Sequence, residues 1–358
     1  FQMTSLMLYE ERGHLSHLNA IGELCAQFRP GILTTIRNLG PEKVIKTVEA
    51  FHERDPQAAG NAWYPSVFED MGQPAWQQLY VNAEHDGLVG VISIGRESYN
   101  RDVDSELNRA IDWLLTERID RVIVTGDFHL AGQMVGADTR EFFAALDDEE
   151  HGVEISRDWS ATARRLHRDF DTSVGLIVGK RCLGGMLELM MHCHYLVAVE
   201  DAAIGMPEVT LPVVPGMEGC HWPFRRATAE HWPRLLGMLL EGRLVQAADT
   251  IGWLVDYAGT LDDVLQIAWR VASGAEHGIR RRAIDEDALD MRSVDVPYLK
   301  GIASQEGRRA ILDTVRAACG ATLAEALEVQ ARHSGGFMTG DACRGGVIGT
   351  AARKTMAV

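Results

Sequence analysis

The sequence predicts an α/β fold: a largely parallel sheet with crossover helices, an extra helical segment before it and a helical region after it. Three observations predict this. Apolar, β-rich runs recur at Leu88–Ile94, Arg121–Thr125, Ser173–Val178 and Tyr195–Val199. Helical spacing fills the gaps between them, the pattern of parallel strands joined by crossovers. Both ends of the chain are helical in pattern.

In residues 3–75, Leu18, Ile21, Leu24, Cys25 and Phe28 fall at helical spacing, and Pro30-Gly31 stops that run. Pro41 opens the next helix where no N–H is needed, with Val44, Ile45, Val48 and Phe51 on one side. Asp55-Pro56 ends it, and Asn61 to Pro65 is aromatic and turn-like. No catalytic pattern appears in this segment. From Gln78 the texture changes. Leu79 to Asn82 alternates, Asp86-Gly87 turns the chain, and the apolar run to Ile94 comes next. Helices are expected at Val103–Leu115 and Thr139–Leu146, and again from Gly184. The last third reads as helices at Leu261–Ala272, Arg308–Ala318 and Leu323–Ala331, with Gly320 and Gly335-Gly336 at helix ends. The expected divisions are 3–75, 76–275 and 276–358.

The chain has 358 residues, 46% hydrophobic and 24% charged, enough to bury a full core. A formal charge of -16 argues against wrapping nucleic acid or an anionic membrane, both of which call for a basic face. A few local N–H donors could still hold a phosphate-bearing ligand. No apolar run approaches the ~20 residues that span a bilayer, and no signal pattern opens the chain. The six cysteines are scattered, without C-x-x-C spacing, and read as reduced core thiols of a cytoplasmic protein. Phe1-Gln2 ahead of Met3 has the look of a tag remnant.

Three segments carry chemistry. Gly184-Gly185 opens a helix after an apolar strand. The first N–H groups of a helix lack intrahelical partners and sit at its positive end. Donors fixed there suit a carbonyl oxygen that gains charge. The same pair also serves a helix packed closely on its sheet. Glu188 lies one turn further on, among Met186, Leu187, Leu189, Met190 and Met191, so it is expected to be buried. A buried Glu without a task is costly, and burial raises its pKa toward the proton-transfer range. Glu208 comes after Pro207 in a loop at the sheet edge, with Pro215-Gly216 beyond it. The third segment is Val135-Gly136-Ala137-Asp138, where Asp138 is a helix cap in form. Gly126, Gly132 and Gly136 are too widely spaced for a dinucleotide loop. His192-Cys193-His194 offers no metal site, because residues i and i+2 of a helix diverge and no fourth ligand is visible. His221-Trp222 and Arg225-Arg226 read as packing or a solvated helix start.

Together and in this order, these segments resemble the crotonase superfamily, in particular its two-glutamate enoyl-CoA hydratases. The resemblance covers roughly residues 78–275. It implies a spiral of ββα units and a hydro-lyase of fatty-acid or aromatic-acid metabolism acting on an acyl-CoA thioester, without metal or redox cofactor. By the same resemblance the oxyanion N–H groups belong to Ala137 and Gly185, and the two acids are Glu188 and Glu208. The Gly216 N–H would help hold the water, and Arg140 would meet a coenzyme A phosphate unless it is only a surface arginine. Gly242-Arg243 and Gly252 to Asp256 resemble a helical stretch of the family. A homotrimer or dimer of trimers is implied, with contacts from 276–358.

The chain departs from the pattern in several places. The connection from Thr125-Gly126 to Asp138 is longer than usual. Met186 replaces a glycine, and Glu218 replaces a small residue, which would add an acid near the pocket. Trp63-Tyr64-Pro65 resembles the end of a hydroxyacyl-CoA dehydrogenase domain, which makes such a dehydrogenase a conceivable partner. Isomerisation, or thioester or C–C hydrolysis, on the same fold is the enzymatic alternative. A subunit that only binds acyl-CoA is the non-catalytic one.

Overall fold

The structure is a computed structural model describing residues 1–25, 30–129, 132–280, 283–292, 294–296, 299 and 304–356. It divides into two compact units, Phe1–Asn82 and Ala83–Val358. No helix among the described residues is long and apolar enough to cross a membrane.

The first unit is helical: α1 (Gln2–Tyr9), α2 (Leu15–Leu24), α3 (Ile32–Leu39), α4 (Pro41–Arg54) and α5 (Pro56–Ala59). Helix α2 forms as expected, but of its apolar series only Leu18 is buried; Ile21, Leu24 and Cys25 are exposed, so Cys25 is not a core thiol, and Phe28 lies outside the described residues. Buried Asn19 caps α3, accepting from Leu33 N and Thr34 N at 3.1 and 3.0 Å. That side-chain oxygen satisfies donors that a helix start leaves orphaned. Tyr64 of the aromatic turn stacks on Tyr9, with ring centroids 3.8 Å apart.

The second unit is built on two sheets. Its strands are β1 (Val81–His85), β2 (Gly90–Ile94), β3 (Arg121–Gly126), β4 (Met134–Val135), β5 (Thr172–Ile177), β6 (Arg181–Leu183), β7 (Tyr195–Val199), β8 (Ala203–Gly205), β9 (Val245–Gln246) and β10 (Tyr257–Gly259). The larger sheet runs β1-β2-β3-β5-β7-β10 and is parallel from β2 to β10. The smaller one runs β4-β6-β8-β9. Each of β3, β5 and β7 sits in the large sheet and is followed by a short strand in the small one. The chain thus winds between two sheets as a spiral.

The helices of this unit are α6 (Arg101–Thr116), α7 (Glu149–Arg168), α8 (Gly184–Met191), α9 (Trp222–Arg226), α10 (Trp232–Glu241), α11 (Leu261–Ser273), α12 (Gln305–Cys319), α13 (Leu323–Met338), α14 (Asp341–Gly345) and α15 (Val347–Met356). Three expectations change. Thr139–Leu146 forms two 3-10 turns. The segment lies between two caps, Asp138 and Asp148, and is too short to repay helix nucleation. Gly252 to Asp256 is a turn, closed by a bridge between Ile251 and Val255, while Asp256 Oδ2 accepts Leu196 N at 2.8 Å. Gly335 and Gly336 lie inside α13 and not at its end. Here α13 meets α7 so closely that a Cβ on Gly335 would stand 2.5 Å from Val153 Cγ2.

Gly335→Val therefore forces α7 and α13 apart. The expected outcome is a loss of about 1–3 kcal/mol of stability, read by thermal denaturation.

Candidate active site

The small sheet sets the site. Its register aligns Val135 with Leu183 and Leu183 with Gly205. The three strands end in one row, so the next residues of each, Gly136-Ala137, Gly184-Gly185 and Met206 to Glu208, leave the sheet side by side. Gly184 takes a left-handed φ of +50°, and a Cβ there would lie 2.6 Å from Glu208 Oε1. The missing side chain is what lets Glu208 fold back over the start of α8.

The backbone of this row offers donors. Tyr99 N binds Gly136 O and Asp138 N binds Tyr99 O, both at 2.8 Å, which fixes the strip around Ala137. Ala137 N stands 3.6 Å from where a Gly185 Cβ would be. Among the described residues neither Ala137 N–H nor Gly185 N–H meets an acceptor. The two amides are neighbours on one wall of the same cavity.

That cavity, about 120 Å³, is lined by both glutamates and by a mainly apolar set that includes Phe142, Trp159, Val213, Met338 and Ile348. Glu188 and Glu208 are both buried. Glu188 Oε1 accepts Met217 N at 2.9 Å and Gly219 N at 2.7 Å. Burial pushes its carboxyl up to about 7, against the pull of these donors. Burial pushes Glu208 up to about 8, and the Glu188 charge adds to the rise. Glu208 Oε2 is buried with no partner among the described residues. An unpaired acid in an apolar wall keeps its proton and can give it away.

The chain is 29% identical to a probable enoyl-CoA hydratase of Mycobacterium bovis over 196 residues, 53% of this chain and 72% of that protein. It is 28% identical over 199 residues to a probable enoyl-CoA hydratase of Rhizobium meliloti, 53% of this chain and 74% of that protein. No protein-family profile matches it. The fold superposes on a carnitinyl-CoA dehydratase of Mycobacterium thermoresistibile with a TM-score of 0.56, at 17% identity, over 78% of this chain and 89% of that one. These relatives and this fold support membership of the crotonase superfamily. The two-sheet spiral with its helical C-terminal region is the crotonase-like fold.

Around this crotonase site, other residues differ from expectation. Arg140 turns onto Asp138, with Nε and Nη2 at 3.1 and 2.6 Å from its two carboxylate oxygens, and does not line the cavity. The Gly216 N–H acts on the Glu188 carboxylate alongside those of Met217 and Gly219. Gly216 O accepts Ser156 Oγ and, at 3.3 Å, Ser160 Oγ. Glu218 is buried but does not line the cavity. It points to Arg164, His192 and His221. Arg225 is a buried brace, donating to the carbonyls of Asp285, Asp287, Ala318 and Ala321. His194 Nδ1 sits 3.0 Å from Ser173 N.

Sequence reasoning missed α7, which brings Ser156 and Trp159 to the cavity. Its signal was a cap, Asp148, with Glu149 and Glu150 in the first turn and Arg165, His167 and Arg168 in the last.

Both acids hold a proton more tightly folded than unfolded. Each therefore loses the protein stability as pH rises from the ordinary carboxyl range toward its folded value. Glu208→Gln removes one such loss. Its Tm should exceed wild type by on the order of 3 °C at pH 8 and by less at pH 5, read by calorimetry at both values.

Proposed function

We propose that this chain catalyses reversible syn addition of water across the C2=C3 bond of a 2-enoyl-CoA thioester. The observation that carries the reading is the pair of buried carboxyls, both raised toward neutrality, in one apolar cavity with two N–H groups that lack acceptors. Hydration needs these parts together: one acid to take a proton, one to give one, and donors for the oxygen between them.

In this reading the thioester oxygen lies on Ala137 N–H and Gly185 N–H. Water held by Glu188 attacks C3 as Glu188 takes its proton. The alkene electrons move toward the thioester oxygen, and the two N–H groups stabilise the resulting enolate. Losing one such donor typically costs about 3 kcal/mol of barrier. Glu208, the acid of higher pKa, delivers its proton to C2. The pair ends with as many protons as it began with, and one transfer from Glu188 to Glu208 resets it. The apolar walls exclude bulk water, so the acids keep unequal protonation states.

Glu188→Gln and Glu208→Gln, each alone, should lower hydration of crotonyl-CoA by about 10²–10⁴-fold, with circular dichroism unchanged. Turnover near wild type in either variant ends this mechanism. Product mass separates the alternatives: a gain of one water is hydration, an unchanged mass is isomerisation, and free thiol is hydrolysis.

The pH profile is set by the same assignment. Glu188 must be ionised, so kcat/KM rises with pH through about 7. Glu208 must be protonated, so it falls through about 8. A profile flat across this window would contradict the roles given to the two acids.

A further inference from the structure

We infer that Glu218 is a positioning residue for Glu188. Clamped by Arg164 and His192, it locks the turn at 216–219 in the one shape that presents two backbone N–H groups to the Glu188 carboxylate. The inference rests on the role of Glu188 in the proposed hydration.

The turn is unusual at one point. Glu218 has φ +71°, a left-handed conformation that costs a residue with a Cβ. Its neighbours Met217 and Gly219 both donate to Glu188 Oε1. Were Glu218 to relax to negative φ, the chain before it would rotate against the chain after it, and Met217 N–H and Gly219 N–H could no longer converge on Glu188 Oε1. Gly219 is held to the same geometry, because a Cβ there would stand 2.7 Å from Glu188 Oε1.

What holds Glu218 in place is its own side chain. Arg164 Nε lies 2.8 and 3.0 Å from its two oxygens. His192 Nε2 and His221 Nε2 each stand 3.0 Å from one of them. Burial pushes this carboxyl up, but the contacts with His192, His221 and Arg164 hold it well below the ordinary range, so it stays ionised. His192 Nδ1 faces Glu188 O at 2.8 Å, so its ring links Glu218 to the main chain of Glu188 itself. The remaining corners of the turn are tied as well. Ser156, Ser160 and Arg164 step by four along α7 and hold Gly216 O and the Glu218 carboxylate from one face. Gln330 of α13 donates to Pro215 O at 2.7 Å and accepts Cys220 N at 3.2 Å.

Two double variants isolate the claim. Arg164→Met with Glu218→Gly and Arg164→Met with Glu218→Ala both remove the ion pair and the buried charge. They differ only in that glycine adopts positive φ freely and alanine does not. The alanine pair should lower kcat on crotonyl-CoA by about 10²-fold with KM changed less than about 3-fold, and the glycine pair should recover about 10-fold of that loss. Equal kcat in the two overturns the inference. If neither pair folds, Glu218→Gln decides: reduced kcat at unchanged KM supports positioning, and wild-type kcat overturns it.

A readout without turnover is the pH midpoint of the Glu188 carboxyl, tracked by infrared difference spectroscopy and assigned with Glu188→Gln. The ionisable groups facing Glu188 are Glu208 across the cavity, Glu218 and Cys220 on the turn, and His192 on its own helix. Only Glu218 changes, and it is lost from both pairs. The midpoint should therefore lie about one pH unit higher in the alanine pair, where the two donors no longer converge on the carboxylate; equal midpoints overturn the inference. If wild type hydrates no enoyl-CoA but the midpoints split, the hydratase reading falls and the positioning role stands.

Discussion

The register of three short strands is the constraint on which the site depends. Val135, Leu183 and Gly205 end in one row, and the residues just beyond each of them form the functional surface. A slip of one residue in β6 would turn every side chain of that strand to the other face. It would also carry Gly184-Gly185 out of line with Ala137. Strands of two or three residues cannot enforce register alone. The parallel large sheet does it for them, because β3, β5 and β7 deliver each short strand from a fixed height.

Glu188, Glu208 and Glu218 are all buried, and they meet their burial differently. Glu218 is ionised and matched by Arg164, His192 and His221. Glu188 has backbone N–H donors but no cation, and rises to about 7. Glu208 has only its own N–H acting on it and, among the described residues, leaves one oxygen unpaired; it rises furthest, to about 8. The order of support is the order of acidity. The backbone separates the two cavity acids by giving several hydrogen bonds to Glu188 and fewer to Glu208, and that is how two like groups can take unlike roles.

Some of this was legible in the sequence. Gly136-Ala137, Gly184-Gly185-Glu188 and Glu208 each come after an apolar run, and apolar runs announce strands. The long strands of the large sheet were legible for the same reason. The short strands β4 and β8 were not, since two or three residues carry no period. Helix α7 was also hidden. Its buried face interrupts Val153, Ile155, Trp159 and Leu166 with Gly152, Ser156, Ser160 and Ala163, which breaks up the hydrophobic stripe. Those small and polar residues are there because α13 approaches closely and because Gly216 O needs donors. Gly335 misled for the same reason: a glycine that permits helix contact looks like one that ends a helix. Glu218 could not be placed from sequence, since Arg164 and His192 lie 54 and 26 residues away from it.

The C-terminal helices belong to the site as much as the sheets do. Met338 and Ser334 of α13 and Ile348 of α15 line the cavity. Gln330, one turn before Ser334, ties down both ends of the turn that feeds Glu188. One helix thus shapes the space available to a ligand and braces the backbone that tunes the base. Close packing transmits strain, so a side chain on α13 cannot be enlarged toward the cavity without pressing on that brace. Changes that widen or narrow the cavity from α13 should therefore act on Glu188 too, whereas changes from Phe142, which lies on neither α13 nor α7, should act on the cavity alone.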